Sequence, residues 1–469
     1  MKQFSTMVNN FNKLDCVRSL IIAELVCLLF STSLTGVVEI LLLLTFLSFK
    51  ELRYRLLASV KQPMVVMALV WLAVLGVGTL FSLAPGEESL DILASWRKIL
   101  LIPMAAAVFE DDSWKLRMAW TFLYAAILSL ALSYLSWFME IIIHERPGII
   151  IHNHATQGMV FGVALFTAAV LLRFKIATSR GSRVLLAAAS FFLLLNILLI
   201  TPGRSGYLAL LVLTAVLSFF SVKGWPRYVL CLSLPLIIGL ALFLSPLAKK
   251  GIMQGINEIQ QYDQAESVTS MGTRVIMWQN TLKIIQQRPL FGHGTGAFLE
   301  AYRKQVKGVS GWQGELAHDP HNQYLRVAAE HGLAGLILFL VFIAAFFRQN
   351  VTGWPRIIGV GILLSWCATS LFSAHFNTFT EGRFLMIWCG AFLASGLYPA
   401  KKQASSSGTT HCLKVFDKIS VYLMTCCGGS GFLSNLKKGA LPCGKSLLIK
   451  ISAREVKSAS TPVRYPSMS

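Results

Sequence analysis

The chain alternates long apolar runs with short polar breaks, and the runs have the length of a bilayer rather than of a globular core. A helix rises about 1.5 Å per residue, so roughly 17–25 apolar residues cross the hydrocarbon. Runs bounded by charges, proline or glycine predict twelve helices, at residues 16–33, 35–49, 64–84, 98–109, 119–142, 156–174, 184–200, 207–222, 228–246, 332–347, 356–373 and 383–398. The second and fourth are short for a full crossing and could tilt or re-enter. The reading is an all-α polytopic membrane protein with about twelve transmembrane helices. Residues 247–331 break the rhythm between spans nine and ten; a connection of that length predicts a small helical domain outside the membrane. The organisation expected is spans one to nine in 1–246, the loop domain in 247–331, spans ten to twelve in 332–398, and a disordered tail in 399–469.

Composition agrees with that pattern. Of 469 residues, 55% are hydrophobic and only 14% charged, with a mean hydropathy of +0.62, which excludes a soluble enzyme, a disordered chain and a fibrous repeat. The net charge of +20 changes the picture only through its placement. Seventeen Lys and Arg fall in the short segments on one side of the expected membrane; five, Arg97, Lys98, Arg146, Arg204 and Arg383, fall on the other. Positive charge resists translocation, so both termini are expected in the cytoplasm and the 247–331 segment outside. The tail from Lys401 carries a net +9, suited to anionic lipid. Topology and membrane lipid thus absorb the basic excess, and no nucleic-acid partner is expected. The first apolar run starts late and ends in STSLTG, which reads as an anchor rather than a cleaved leader. Cys16, Cys27, Cys231, Cys367 and Cys389 lie in or beside spans and the other four in the tail, so no disulfide is expected.

The polar residues that could do chemistry gather at the outer ends of spans. TPGRSGYL, residues 201–208, is a tight outer turn that holds Arg204 against the positive-inside bias. In SMGTRVIMWQNTLKIIQQRPLFGHGTG, residues 270–296, a helical apolar stripe follows Arg274, and its bland partner would be Glu266. The GHGTG stretch resembles a phosphate loop only superficially, since no strand precedes it. In ELAHDPHNQYLRVAAEHGLAG, residues 315–335, Asp319 and Pro320 predict a helix start with His321 and Asn322 in its first turn. That position disfavours imidazolium and leaves His321 able to take a proton. HFNTFTEGR, residues 375–383, adds Glu381 and Arg383. A metal site built from His318 and His321, or from His152 and His154, is the competing reading; Pro320 spoils the single helical face that the first pair would need. A secondary transporter is the reading from another class, with Glu24, Glu39 and Glu140 as its acidic candidates, but no internal repeat supports it. The outer face lacks ATP and nucleotide sugars, so a transferase there needs a membrane-borne activated donor such as a lipid-linked sugar diphosphate. Two guanidiniums can hold its diphosphate while a neutral histidine deprotonates the acceptor hydroxyl, with no cofactor and no metal.

TPGRSGYL, GTRVIMW with PLFGHGTG, and HDPHNQYLRVAAEHGLAG resemble the O-antigen ligase and polymerase superfamily of bacterial inner-membrane proteins. Arg204-Ser-Gly-Tyr-Leu208 is similar to the ligases' Arg-x3-Leu element, and His321-Asn322 followed by Gly332 and Gly335 to their His-Asn-x9-Gly-x2-Gly pattern. The resemblance implies a GT-C-like fold and an inverting, metal-independent glycosyltransferase. It would move O-antigen glycan from undecaprenyl diphosphate onto lipid A-core at the periplasmic face of the inner membrane. On that reading Arg204 and Arg274 bind the diphosphate and His321 is the base, with Asn322, His318, Glu381 and Arg383 in support. O-antigen polymerases and protein O-oligosaccharyltransferases of the same superfamily use a similar donor and differ in acceptor. The tail after Lys401 departs from the pattern.

Overall fold

The computed structural model describes residues 13–244, 253 and 270–396. The expected tail, the first twelve residues and the proposed partner Glu266 lie outside the described residues. Among the described residues the structure is helical, with no strand. The α-helices in chain order are α1 (Lys13–Phe30), α2 (Thr32–Ser48), α3 (Lys50–Ser59), α4 (Pro63–Thr79), α5 (Gly86–Ser95), α6 (Leu101–Ala106), α7 (Asp112–Phe138) and α8 (His154–Arg173). They continue as α9 (Arg180–Leu199), α10 (Arg204–Ser221), α11 (Pro226–Leu244), α12 (Ser270–Gln287), α13 (Phe298–Gln305), α14 (Gln323–Phe347), α15 (Gly353–Thr369) and α16 (Phe379–Phe392).

Local chemistry explains many of these boundaries. Asp111 and Asn153 cap α7 and α8 by accepting from the Ser113 and Thr156 amides, and Ser31 caps α2 in the same way. Pro63 opens α4, where its missing N–H costs nothing. Each of the twelve expected positions carries helix. Among the described residues five helices, α7, α8, α9, α10 and α14, are long and apolar enough to cross a membrane; α2 with α3, bent by 100°, makes a sixth if taken as one span. The fourth expected run departs most from the pattern. A 3-10 turn at Trp96–Leu100 leads into the six-residue α6, and all six α6 residues are buried, with α16 packed alongside. Pro103 and the short apolar stretch suit a piece enclosed by protein rather than a crossing. Elsewhere apolar side chains face outward. In α9 only 28% of the most apolar stretch is buried, and Phe191, Leu199 and Val184 project from the protein, a surface that hydrocarbon but not water would accept.

Small residues set the closest helix contacts. Gly158 of α8 meets Gly206 of α10, where a Cβ on Gly206 would stand 3.2 Å from the Gly158 Cα. Around that contact α10 packs against α8, α11 and α15. The core is aromatic toward α16: Trp366 stacks on Phe384 at 5.2 Å, and Phe122 meets Trp388 edge-on at 5.1 Å. Within the 247–331 segment, Ile284 of α12 joins Phe298, Ala301 and Tyr302 of α13 in a small cluster that also takes in Ala329 of α14.

One long-range feature organises the region above that core. Inside α14, Gly332 adopts φ 64° and ψ −167°, which breaks the helix. The amides freed at the break find the PLFGHGTG turn: Leu333 N donates to Pro289 O at 2.8 Å and Ala334 N to Leu290 O at 3.1 Å. The turn donates back, His293 N to Ala329 O at 3.1 Å and Gly294 N to Glu330 O at 2.7 Å. Gly292, Gly294 and Gly332 all have positive φ; a Cβ on Gly292 or Gly332 would strike backbone across this seam, and one on Gly294 would strike the Gly78 and Ser82 backbone at the end of α4. GHGTG is therefore a packing device; its amides are spent on backbone carbonyls and, at Gly296, on the Glu330 carboxylate.

Candidate active site

The segments that begin α8, α14 and α16 are tied together by cross-links between helices. Thr156 at the start of α8 donates from its hydroxyl to Glu381 of α16. Gln323 N, opening α14, donates to Ser370 O at 2.9 Å just past α15. Lys98, 1% exposed, donates to the carbonyls of Asn377 and Thr378, the latter at 2.8 Å, and so fixes the entry to α16. Arg383 donates to Glu39 of α2 at 2.8 and 3.0 Å.

His321 sits at the mouth of this end. The expected helix start is shifted by three residues: α14 begins at Gln323, and Asn322, not Asp319, is the cap, accepting from the Tyr324 and Leu325 amides at 3.0 and 3.1 Å. The reason lies in Asp319. Its Oδ1 accepts the His321 amide at 2.6 Å and closes a turn outside the helix, while Oδ2 accepts from the buried Arg326 at 2.8 Å. Arg326 also pairs with Glu330 at 3.3 Å, so the first two turns of α14 hold the loop that precedes them. His321 is left at φ 52°, in the left-handed region that histidine tolerates at a cost. His318 lies exposed on the far side of Asp319 and Pro320.

Arg274 is brought to His321 by α12. Trp278, one helical turn beyond Arg274, donates its indole N–H to Pro320 O at 2.9 Å and lies 6.1 Å from Phe372. This contact docks α12 onto the histidine loop. Desolvation lowers the affinity of His321 for a proton; Asp319 opposes that shift and Arg274 adds to it. The net result holds the imidazole below its ordinary range, and so neutral at neutral pH.

Arg204 is the first residue of α10 rather than part of the turn, and it is exposed. Gly203, its cap, lies against His154: a Cβ there would stand 3.2 Å from the ring Cδ2. Glu381 and Arg383 are drawn into the helix cross-links described above rather than toward His321, and the Arg383 guanidinium lies 3.9 Å over the Phe379 ring. His375, 4% exposed, lies in the fields of both Glu381 and Asp319; burial pushes its proton affinity down. The roles of Lys98 and Trp278 escape a reading by motif, because each acts through a partner dozens to hundreds of positions away, whereas Arg326 reaches Asp319 only seven residues back. Glu39, assigned by sequence to a transporter alternative, is instead the anchor of Arg383 and also reaches Arg97 at 3.2 Å. His152 and His154 diverge, His152 facing Leu28 O at 3.1 Å and His154 facing Glu145 at 2.7 Å. Among the described residues, no group of three or more His, Cys, Asp or Glu is arranged to hold a metal ion.

The chain is similar to known proteins over its central part. Residues 189–340 match a family model described as O-antigen ligase, which supports membership in the O-antigen ligase/polymerase superfamily. The matched stretch contains Arg204, Arg274, His321, Asn322 and the break at Gly332, and stops short of Glu381 and Arg383. A protein of Haemophilus influenzae described as uncharacterized is 29% identical over 210 residues, 42% of this chain and 52% of that protein. The chain thus spans about half the length of the curated relative it matches.

Proposed function

We propose that this membrane-embedded member of the O-antigen ligase/polymerase superfamily is an O-antigen ligase. It transfers a glycan from undecaprenyl diphosphate onto lipid A-core at the periplasmic face of the bacterial inner membrane. Arg204 and Arg274 hold the diphosphate and His321 is the general base. The observation that carries the reading is the docking of Trp278 on Pro320, which sets Arg274 close enough to His321 to bias its protonation. A base kept neutral beside a fixed cation matches a reaction in which a hydroxyl loses a proton while negative charge appears on a phosphate.

In the step itself the acceptor oxygen attacks the anomeric carbon from the face opposite the diphosphate. The bond from that carbon to the phosphate oxygen breaks and its electron pair leaves with the diphosphate. The hydroxyl proton passes to His321, and the configuration inverts. Charge and proton are both handled by side chains, so the step calls for no metal and no cofactor. Asn322 caps α14 and keeps His321 in its turn; Glu381 and Arg383 act by tying α16 to α8 and α2.

A polymerase would use the same donor and differ in the acceptor. The test is transfer in vitro by the purified full chain with undecaprenyl-diphosphate glycan and EDTA, comparing lipid A-core with a second lipid-linked glycan as acceptor. Product on lipid A-core supports the ligase. Product only on the lipid-linked glycan replaces it with a polymerase, and no transfer to either, from protein that inserts normally, defeats both.

A further inference from the structure

Beside the break in α14, the PLFGHGTG turn leaves an apolar groove that the mechanism does not use. Phe81, just past α4, and Pro289, Leu290, Phe291 and Gly292 of the turn line a cavity of about 560 Å³, and Arg288 is the one charged residue in its wall. Ligand sites commonly span about 300–1,000 Å³, so the groove is large enough to hold one. Its walls are uncovered: Leu290 is 61% exposed, Phe291 69% and the neighbouring Leu80 84%. Backbone hydrogen bonds across the seam hold the turn, so these side chains are displayed on a fixed frame. The apolar surface continues along α14, where Leu333, Ile337 and Leu340 stand exposed at helical spacing on one face. The Leu333 amide is bonded to Pro289, so the groove lies where the expected tenth span begins. Arg288 has a second cation near it. Burial lowers the pKa of His293, and the charges of Arg288 and Lys304 lower it further. Gln287, beside Arg288, donates to Gln305, beside Lys304, at 2.9 Å and ties the two together. Both cations are exposed, and neither makes an ion pair among the described residues.

A guanidinium at the lip of an apolar groove, at the level where a span enters the bilayer, suits an amphiphile that carries a phosphate beside a hydrocarbon chain. Two such lipids take part in the reaction proposed above, and distance separates them. The donor's diphosphate adjoins the bond that breaks, so it belongs at His321 with Arg274. Arg288 stands fourteen residues beyond Arg274, along α12 and one position past its end. At about 1.5 Å per residue that is roughly 20 Å along the helix, too far for the same diphosphate. The acceptor has the opposite build: its reacting hydroxyl is at the far end of an oligosaccharide, and its phosphates are on the lipid anchor. We therefore infer that the groove between Phe81 and Phe291, with Arg288 and Lys304 at its lip, docks the phosphorylated, acylated anchor of lipid A-core while the core oligosaccharide reaches along α12 to His321. An acyl chain lies against Phe81, Leu290 and Phe291, and a phosphate of the anchor accepts from Arg288. The inference rests on the ligase reading given above and adds to it a phosphate site that the donor does not fill. The groove holds the acceptor equally before and during the reaction, so it acts on acceptor affinity and not on the chemical step.

The test uses the full chain in nanodiscs of zwitterionic phosphatidylcholine and compares steady-state transfer to lipid A-core with transfer to the core oligosaccharide freed of its lipid. Arg288→Gln should raise KM for lipid A-core about tenfold, leave kcat and the donor KM unchanged, and leave transfer to the free oligosaccharide as in the wild type. Phe291→Ala shortens an exposed wall without touching the seam, and should raise the same KM roughly threefold. Binding of lipid A-core in the absence of donor should weaken in parallel. If both variants keep wild-type KM and binding for lipid A-core while the wild type transfers glycan to it, the acceptor groove is wrong and the ligase reading stands. If the wild type transfers only to a lipid-linked glycan, the ligase reading fails and the groove assignment falls with it. An equal rise in KM for the free oligosaccharide would reduce the groove to a structural support. An equal loss of phosphatidylglycerol binding would assign it to anionic bilayer lipid, and either result overturns the acceptor site.

Discussion

The two ends of the helix bundle use basic residues differently. At the end away from His321, cations close on carbonyl oxygens just past helix C-termini. Arg18 donates to Val108 O at 2.7 Å, Lys115 to Ala394 O at 3.2 Å, Arg173 to Ser221 O at 2.6 Å and Arg356 to Gln349 O at 2.9 Å. Those carbonyls carry the negative end of the helix dipole, so each cation satisfies an orphan acceptor and favourable electrostatics together. At the other end the cations are divided: Arg383 and Arg97 meet Glu39, Arg326 meets Asp319 and Glu330, and Lys98 meets the Asn377 and Thr378 carbonyls, while Arg204 opens α10, where a cation adds to the positive end of the helix dipole. The positive-inside bias alone does not require this, since it fixes which loops are basic and not what the cations touch.

The comparison can be broken or sharpened by substitution, and the largest effect belongs to His321. His321→Ala should lower the transfer rate by about 10²–10⁴-fold with normal membrane insertion, read as lipopolysaccharide laddering in a ligase-null strain. Wild-type laddering would remove the base from the site end. Arg274→Ala should cost on the order of 10²-fold, and Arg274→Lys should recover only part of it, because an ammonium cannot reproduce the planar fork. Next comes the seam that supports the loop. Gly332→Ala forces a side chain into a positive φ and into Leu290 backbone, so folded yield should fall before any kinetic defect is measured.

A smaller but diagnostic effect concerns pH. His321 holds its proton less readily than an ordinary histidine, so the acid limb of kcat/KM should lie below the usual imidazole range. Asp319 raises that affinity, and Asp319→Asn should move the limb to still lower pH in whatever activity remains. The smallest effect is expected at the opposite end. Arg173→Ala removes an exposed carbonyl contact and should shift stability by roughly 1 kcal/mol or less, with transfer rates unchanged. A loss of activity there comparable to Arg274→Ala would dissolve the distinction between the ends.

Much of this architecture is legible in the sequence. Apolar runs give helices at all twelve expected positions, because burial in hydrocarbon needs only a continuous apolar surface, and caps such as Asn153 and Asp111 are local. Arg204, Arg274 and His321 were visible because short motifs surround them. The length of each crossing was not: the stretch at 98–109 looks like a span in hydropathy, yet packing turns it into a buried fragment. Nor was the helix start at Gln323, since Asp319-Pro320 is a good local cap and loses only because Arg326, seven residues on, claims the same carboxylate.

What the sequence determined by itself is therefore the all-helical membrane class, the distribution of positive charge and the candidate residues, all properties of near neighbours along the chain. Tertiary structure decided the partners. Trp278 on Pro320, Arg383 on Glu39, Thr156 on Glu381 and the glycine turn on the break at Gly332 join residues dozens to hundreds of positions apart. Such pairings follow from which backbones can approach and which buried polar groups must be satisfied, and those conditions exist only once the helices have packed.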